Sequence, residues 1–461
     1  MTSRFPTGLG RVLGAVILAA ACGAGGVGNA SDSAWLNADA AGGGRPAGDG
    51  AMAPDLQPVP DIGGAPTLPD AGPDFPATEV GRDARVPDAG RDQPEVVRDS
   101  AVPDAARDQA IPDAARTLPD ALAAPDLSTA DGGAATVQLV GRFDRGDPAR
   151  PSFGWSGSAI IARFQGTGAT LRLDGSPNQF AVSVDGVLSP VLKTTSGTSQ
   201  YQVAAGLASG IHDLVIWKRT EGNQGENRFL GLDIVGGQLL PPPAAPDRRI
   251  EIYGDSITAG YGLDGQGPSC PFSQDTENHY LSYGAVAART LGAELHTVAW
   301  SGIGMYRNYG ATGASADAMP AVYARTLPTQ ASSIWDFAAW QPHAVVINLG
   351  TNDASTGGDP GTPYRMAYLD FVRTLRLKYP ATFFVLTIGP MLSDTSLAAI
   401  KGHIQAVIQT RADEGDTQMS FLEFPVQTGA DGYGCDWHPS GATDAKMATL
   451  LVAELKTRLG W

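Results

Sequence analysis

From Arg249 onward, short apolar runs and helix-period segments take turns along the chain, and no other feature of the sequence narrows the fold as much. "RIEIYGDS", "ELHTVAWSG", "AVVINLGTND" and "TFFVLTIGP" are brief, nearly unbroken apolar stretches that stop at glycine or small polar residues, and "QMSFLEFP" follows the same pattern. Among them lie "YLSYGAVAARTLGA", "YRMAYLDFVRTLRLKYP", "SLAAIKGHIQAVIQTRA" and "ATDAKMATLLVAELKTRLG", with apolar residues recurring at three- and four-residue intervals. Strands apolar on both faces and alternating with helices predict a parallel sheet covered on each side, a three-layer α/β fold. In such a fold ligands sit at the carboxyl ends of the strands, so the residues just beyond each apolar run are where chemistry is to be sought.

Upstream the period changes. Over residues 134–240, "ATVQLVGRF", "GSAIIARF", "ATLRLDG", "FAVSVDG" and "HDLVIWKR" alternate apolar and polar positions between turn residues, which predicts an antiparallel β-sandwich of the jelly-roll kind. Trp155 and Trp217 are expected in its core, and the domain either binds sugar or braces its neighbour. "LPPPAAPD", Leu240 to Asp247, is a short stiff linker, so the second domain is placed at 249–461.

Residues 23–133 are dominated by Ala, Pro, Gly and Asp, with "PDA" recurring at Pro69, Pro87, Pro103, Pro112 and Pro119. Too little apolar surface is available there to offset the entropy of ordering, so a disordered spacer is expected. Its 19 acidic residues against 7 arginines carry 12 of the net 16 negative charges, and the acidity therefore says little about the substrate. The absence of a basic patch argues against nucleic acid.

Residues 1–22 have the form of an export signal: Arg4 and Arg11, then an apolar stretch too short to span a bilayer. Ala19, Ala20 and Ala21 before Cys22 are similar to a bacterial lipobox, with Leu18 one place early. Cys22 is thus a candidate lipidation site, plain signal cleavage being the alternative. A secreted or surface-tethered protein is expected, touching membrane only through that anchor. In an exported protein Cys270 and Cys435, which flank the candidate catalytic segments, form a candidate disulfide, with two unrelated thiols the other reading.

Four loops are expected at one edge of the parallel sheet: Gly254-Asp255-Ser256, Ser301-Gly302, Gly350-Thr351-Asn352-Asp353, and "GCDWHPSG" with Asp436 and His438. A serine hydroxyl needs a neighbouring base to act as nucleophile, and acyl transfer needs donors aimed at the developing oxyanion. Serine, histidine, an asparagine amide and glycine N–H groups supply both. Each signal alone is weak; together, in this order and at strand ends, they are not. Asp255 and Asp353 read as acceptors that lock loops.

These blocks resemble the SGNH (GDSL-type) hydrolases, and "GDSITAGYG", "TENHYLSYGAVAAR", "AWSGIGMYRN", "NLGTND" and "CDWHP" behind a sandwich domain look like carbohydrate esterase family 2. The resemblance implies a flavodoxin-like α/β SGNH domain with Ser256 as nucleophile and His438 as general base. It further implies an oxyanion hole from the Ser256 and Gly302 N–H groups and the Asn352 side chain. Many SGNH enzymes place an acid three residues before the histidine; here Asp436 is two before His438. Either its carboxylate or a backbone carbonyl is then expected to orient the base, and Trp437 is expected to lie against a sugar ring.

The implied activity is removal of O-acetyl groups from polysaccharides such as xylan or glucomannan through an acyl-serine, with no cofactor. The rivals are an SGNH lysophospholipase or thioesterase and a non-catalytic carbohydrate-binding surface protein. Against the first, the 260–280 and 303–320 segments are rich in Gly, Tyr, Asn and Ser rather than long aliphatic residues. No HxH, HExxH or CxxC spacing occurs among the six histidines and three cysteines, so no metal site is expected. "GYGLDG" formally matches GxGxxG but leads into no helix, and no GxSxG is present.

Overall fold

The computed structural model describes residues 137–356 and 358–461. The export signal, Cys22 and the whole 23–133 spacer expectation fall outside the described residues.

The first domain is a pair of antiparallel sheets packed face to face. One is ordered 138–140, 159–166, 210–218, 179–184, 187–188, with 192–193 and 238–240 added at its margins; the other runs 143–144, 152–153, 227–235, 168–175, 199–204. Alternation does the packing: Ile160, Ala162, Phe164, Leu214 and Ile216 of the first sheet face Leu171 and Leu173 of the second in one buried cluster. Residues 179–183 are buried on both faces, because the outer side of the larger sheet is also covered. Ala159, Ala181 and Trp217 on that side pack with Ile250, Ile252, Tyr283 and Leu295 of the second domain.

The second domain has five parallel strands: β1 (Arg248–Gly254), β2 (Ala293–Ala299), β3 (Ala344–Asn348), β4 (Phe383–Ile388) and β5 (Met419–Glu423), in the order β2-β1-β3-β4-β5. Helices α1 (Tyr283–Leu291), α2 (Gly361–Lys378), α3 (Asp394–Asp413) and α4 (Gly441–Leu459) cover the sheet. Because β2 lies on one side of β1 and β3 on the other, the chain reverses direction across the sheet at β1, and a crevice opens at the carboxyl ends of these strands.

The seam between the domains is polar as well as apolar. Arg142 of the sandwich, fully buried, donates to Glu251 Oε1 on β1 at 2.8 Å and to the carbonyls of Tyr323 and Arg325 at 2.5 and 2.9 Å. The other Glu251 oxygen accepts from the hydroxyls of Tyr253 and Tyr379 at 2.6 and 2.7 Å, so the buried carboxylate is satisfied on both oxygens. Trp155 and Trp217 are buried as expected, but at this seam rather than inside the sandwich. Trp155 sits edge-on to Trp300, and Trp217 donates to His279 Nδ1 at 3.1 Å.

Candidate active site

β1 delivers Ser256. The strand ends at Gly254, where a Cβ would stand 2.0 Å from Thr258 Oγ1, so only glycine lets the chain turn back this tightly. Asp255 then caps the single helical turn Ser256–Ala259, its Oδ1 accepting the Ile257 N–H at 3.0 Å. Burial lifts the Asp255 carboxyl to about 7, with nearby Asp353 adding to the rise against the Ile257 hydrogen bond.

His438 reaches the same place from the loop ahead of α4, and its Nε2 lies 2.8 Å from Ser256 Oγ. Its Nδ1 is 3.2 Å from the Cys435 carbonyl oxygen and 3.1 Å from that of Asp436. Carbonyls only accept, so Nδ1 carries the proton and Nε2 presents a lone pair to the serine hydroxyl. Burial lowers the His438 pKa to about 4 in spite of these carbonyls, which leaves the ring neutral at neutral pH with its Nε2 lone pair available.

Asp436 departs from one of the two expectations. Its carboxylate accepts from the Tyr261 hydroxyl at 2.7 Å rather than from His438, and two backbone carbonyls orient the base. The reason is local backbone geometry: Asp436 and Trp437 both adopt left-handed conformations, φ 50° and 62°. This bend brings the carbonyls of residues 435 and 436 to the imidazole and leaves the Asp436 side chain at the surface. A bulky residue with positive φ is strained, and such strain concentrates where surrounding structure enforces a functional geometry. Trp437 is 59% exposed, its ring edge-on to Tyr433.

Several contacts hold the histidine loop. Cys270 and Cys435 are joined in a disulfide, the Cys435 N–H donates to the Gly262 carbonyl at 2.9 Å, and that of Asp436 donates to the Cys270 carbonyl at 3.2 Å. The Tyr261 ring lies 4.2 Å from the His438 ring and 4.4 Å from Phe272, so the base is packed on one face by an aromatic pair.

β2 and β3 bring the remaining groups. Gly302 follows β2 with φ +80°, a left-handed conformation that suits glycine. Among the described residues neither its N–H nor that of Ser256 is paired with a protein acceptor, which leaves both free for a ligand. Asn352, beyond β3, is in the same neighbourhood but its amide is engaged: Nδ2 donates to the Ile303 carbonyl at 2.8 Å and to Asp255 Oδ2 at 3.2 Å. Both amide protons are thus used within the protein, tying the Gly302 loop to the nucleophile turn. Asp353 braces that loop from beneath. It accepts the N–H groups of Met305, Tyr306 and Arg307 at 2.8, 2.7 and 2.9 Å, and its pKa is nevertheless raised by burial.

Sequence reasoning missed Tyr261, Tyr309 and Glu221. Tyr309 is 74% exposed and donates its N–H to the Gly302 carbonyl at 2.8 Å, so a second open aromatic adjoins the site. Tyr261 lay inside the "GDSITAGYG" block, where its hydroxyl spacing gave no sign of Asp436. Glu221 belongs to the other domain, and its Oε2 accepts the Ser301 N–H at 2.6 Å.

Two family models match the chain: carbohydrate esterase 2 N-terminal over residues 139–243, and the GDSL-like lipase/acylhydrolase family over residues 252–446. The cellulase/esterase CelE of Acetivibrio thermocellus is 42% identical over 339 residues, which are 73% of this chain and 41% of that relative's length. An acetylxylan esterase / glucomannan deacetylase of Cellvibrio japonicus is 30% identical over 327 residues, 68% of this chain and 87% of the relative. Among solved structures, a family two carbohydrate esterase from Clostridium thermocellum in complex with cellohexaose superposes with a TM-score of 0.69 at 42% identity, covering 70% of this chain and 99% of that one.

Proposed function

The chain belongs to carbohydrate esterase family 2, and from that premise we propose that it is a serine esterase that removes O-acetyl groups from polysaccharides such as xylan or glucomannan. The observation that carries this reading is the 2.8 Å contact from Ser256 Oγ to His438 Nε2, with Nδ1 held by carbonyls.

Ser256 Oγ attacks the acetyl carbonyl while His438 takes its proton, and the carbonyl oxygen becomes an oxyanion facing the Ser256 and Gly302 N–H groups. For Asn352 to act as the third donor, the amide proton that reaches Asp255 across 3.2 Å, the longer of its two contacts, turns to the oxyanion. Collapse of this adduct breaks the bond to the sugar oxygen, which leaves as a hydroxyl with the proton from His438. Water, deprotonated by His438, then attacks the acyl-serine, and acetate departs as Ser256 regains its proton.

A relative named for acetylxylan and glucomannan supports the substrate class. The open rings of Trp437 and Tyr309 beside the site, rather than aliphatic side chains, favour a sugar over an acyl chain. The expected export signal and Cys22 extend the proposal to a secreted or surface-tethered enzyme, with the acetylated polymer as its partner.

Acetate release from acetylated xylan and glucomannan tests the reading. Wild type is expected to turn over, and Ser256→Ala and His438→Ala to lose at least about 10⁴-fold in kcat. A protein that binds glycan but frees no acetate from any acetylated sugar or p-nitrophenyl acetate would overturn it. Loss of lipid labelling in Cys22→Ala tests the tether.

A further inference from the structure

Glu221 lies in the connection between the sandwich strands 210–218 and 227–235, and it is completely buried. No motif or period in the sequence singles it out. Taking a carboxyl out of water with so few partners is unfavourable, so its place needs a reason.

Its Oε2 has one hydrogen-bond partner, the Ser301 N–H at 2.6 Å, and its Oε1 has none among the described residues. Burial accordingly raises its pKa, against the hydrogen bond from Ser301. The rest of the residue is held firmly. Its N–H donates to Glu277 Oε1 at 2.9 Å, and its carbonyl accepts from the buried Lys218 ammonium at 3.0 Å, which also donates to the Thr220 carbonyl at 2.6 Å. The carboxyl is thus aimed at a single backbone group of the other domain.

That group is one peptide away from Gly302. On the near side of Ser301, the Trp300 N–H donates to the Gly254 carbonyl at 3.3 Å and the Trp300 ring packs 6.2 Å from Trp155 of the sandwich. On the far side, Gly302 holds its left-handed turn with its carbonyl taken by the Tyr309 N–H. Gly302 carries no side chain to anchor it. The direction of its N–H is set by the peptides on either side, and Glu221 fixes the one before it.

We infer that Glu221 is a positioning residue for the Gly302 oxyanion donor, so that the sandwich domain completes the catalytic geometry of its neighbour. The inference rests on the esterase reading above. An oxyanion donor that is tilted or shifted stabilises the transition state less while leaving ground-state binding of the glycan alone, so the effect falls on kcat rather than KM.

The test uses the full chain and three substitutions, with kcat and KM measured on p-nitrophenyl acetate and acetylated xylan per serine titrated by a reactive phosphonate. Glu221→Met keeps the volume and removes the acceptor. It should lower kcat about 10- to 100-fold, somewhat less than outright loss of an oxyanion donor, with KM within about twofold. Glu221→Gln keeps a carbonyl oxygen for Ser301 and should stay within about threefold of wild type. Glu221→Asp, one methylene short, folds with the same charge and should fall between them.

Wild-type kcat in both E221M and E221D overturns the inference. So does an equal loss in E221Q and E221M, which would point to charge or packing instead of an acceptor. Thermal unfolding separates a mere structural role, which would lower Tm without changing kcat per titrated serine. Ser256→Ala in the same assay distinguishes the two levels: wild-type turnover there removes the esterase reading itself, whereas its loss beside an unaffected E221M removes Glu221 alone.

Discussion

Asp436→Ala separates a carbonyl-oriented histidine from a full acid-base triad. Where a carboxylate fixes the catalytic tautomer, removing its charge costs about 10⁴ in kcat, some 5.5 kcal/mol of barrier. Here the groups facing His438 Nδ1 are main-chain oxygens at 3.2 and 3.1 Å, and both survive any side-chain substitution. What Asp436→Ala removes is the acceptor of the Tyr261 hydroxyl, an exposed hydrogen bond of about 0.5–1 kcal/mol. It also places alanine at φ 50°, which adds a cost of about 1–2 kcal/mol. Both terms fall on the stability of the loop, and only its relaxation reaches the barrier. A loss below about tenfold in kcat/KM is expected, with Asp436→Asn closer to wild type because asparagine tolerates the left-handed region. Initial rates on p-nitrophenyl acetate at pH 7, read with Tm, decide it. A loss of 10³ or more in both folded variants would mean that the carboxylate turns to the imidazole in the reacting complex, and the backbone account would fail.

The pH profile gives a second check, since His438 acts only when deprotonated and burial holds it down to about 4. The rate carried by this base should therefore persist through pH 5, and kcat/KM should fall about tenfold per unit once pH drops below 4; a histidine limb centred near 6.5 would contradict the burial argument. The Cys270–Cys435 bond closes a separation of 165 residues and ties the 260–280 segment to the histidine loop. Cys270→Ser with Cys435→Ser should cost about 2–5 kcal/mol of stability and lower kcat as well, measured by thermal unfolding with and without reductant and by ester turnover. Trp437→Ala should raise KM on acetylated xylan several-fold and leave p-nitrophenyl acetate unchanged, since a ring that stacks on sugar has nothing to hold in the small ester.

Much of the second domain could be read in advance because strands buried on both faces leave an unmistakable apolar pattern. Ile250 to Tyr253, Ala344 to Asn348 and Phe383 to Ile388 carry it. The site was harder in proportion to how much of it depends on tertiary contact. Ser256 and His438 stand 182 residues apart; their places at element boundaries put both on one edge, and the family resemblance supplied their roles. Whether a carboxylate or a carbonyl faces the imidazole turns on φ at Asp436 and Trp437, and tryptophan gives no hint of a left-handed bend. The stretch between β2 and β3 has a single helical turn, Met319–Val322, and is organised by the Asp353 carboxylate. That dependence on one residue is invisible to a periodicity search.

The sandwich domain was left between two roles, binding sugar or bracing its neighbour, and its tryptophans bear on the choice. Trp155 and Trp217 are 1% and 7% exposed, so neither can stack on a glycan. Each instead meets a residue of the second domain that lies on or beside β2: Trp155 meets Trp300, which precedes the oxyanion loop, and Trp217 meets His279, whose Nε2 is 3.1 Å from Thr297 Oγ1. Desolvation drives His279 down to about 3, so the ring is neutral; with Nδ1 accepting from Trp217, Nε2 holds the proton and donates to Thr297. Arg142 makes a third tie, to Glu251 on β1. A binding module joined by a linker would keep polar, separable surfaces, as interfaces between mobile domains do. A buried ion pair with satisfied carboxylate, a neutral histidine with a fixed tautomer and two buried tryptophans form a seam that opens only by exposing them all. The geometry therefore favours bracing, with the strands that carry Ser256 and Gly302 as the parts being braced.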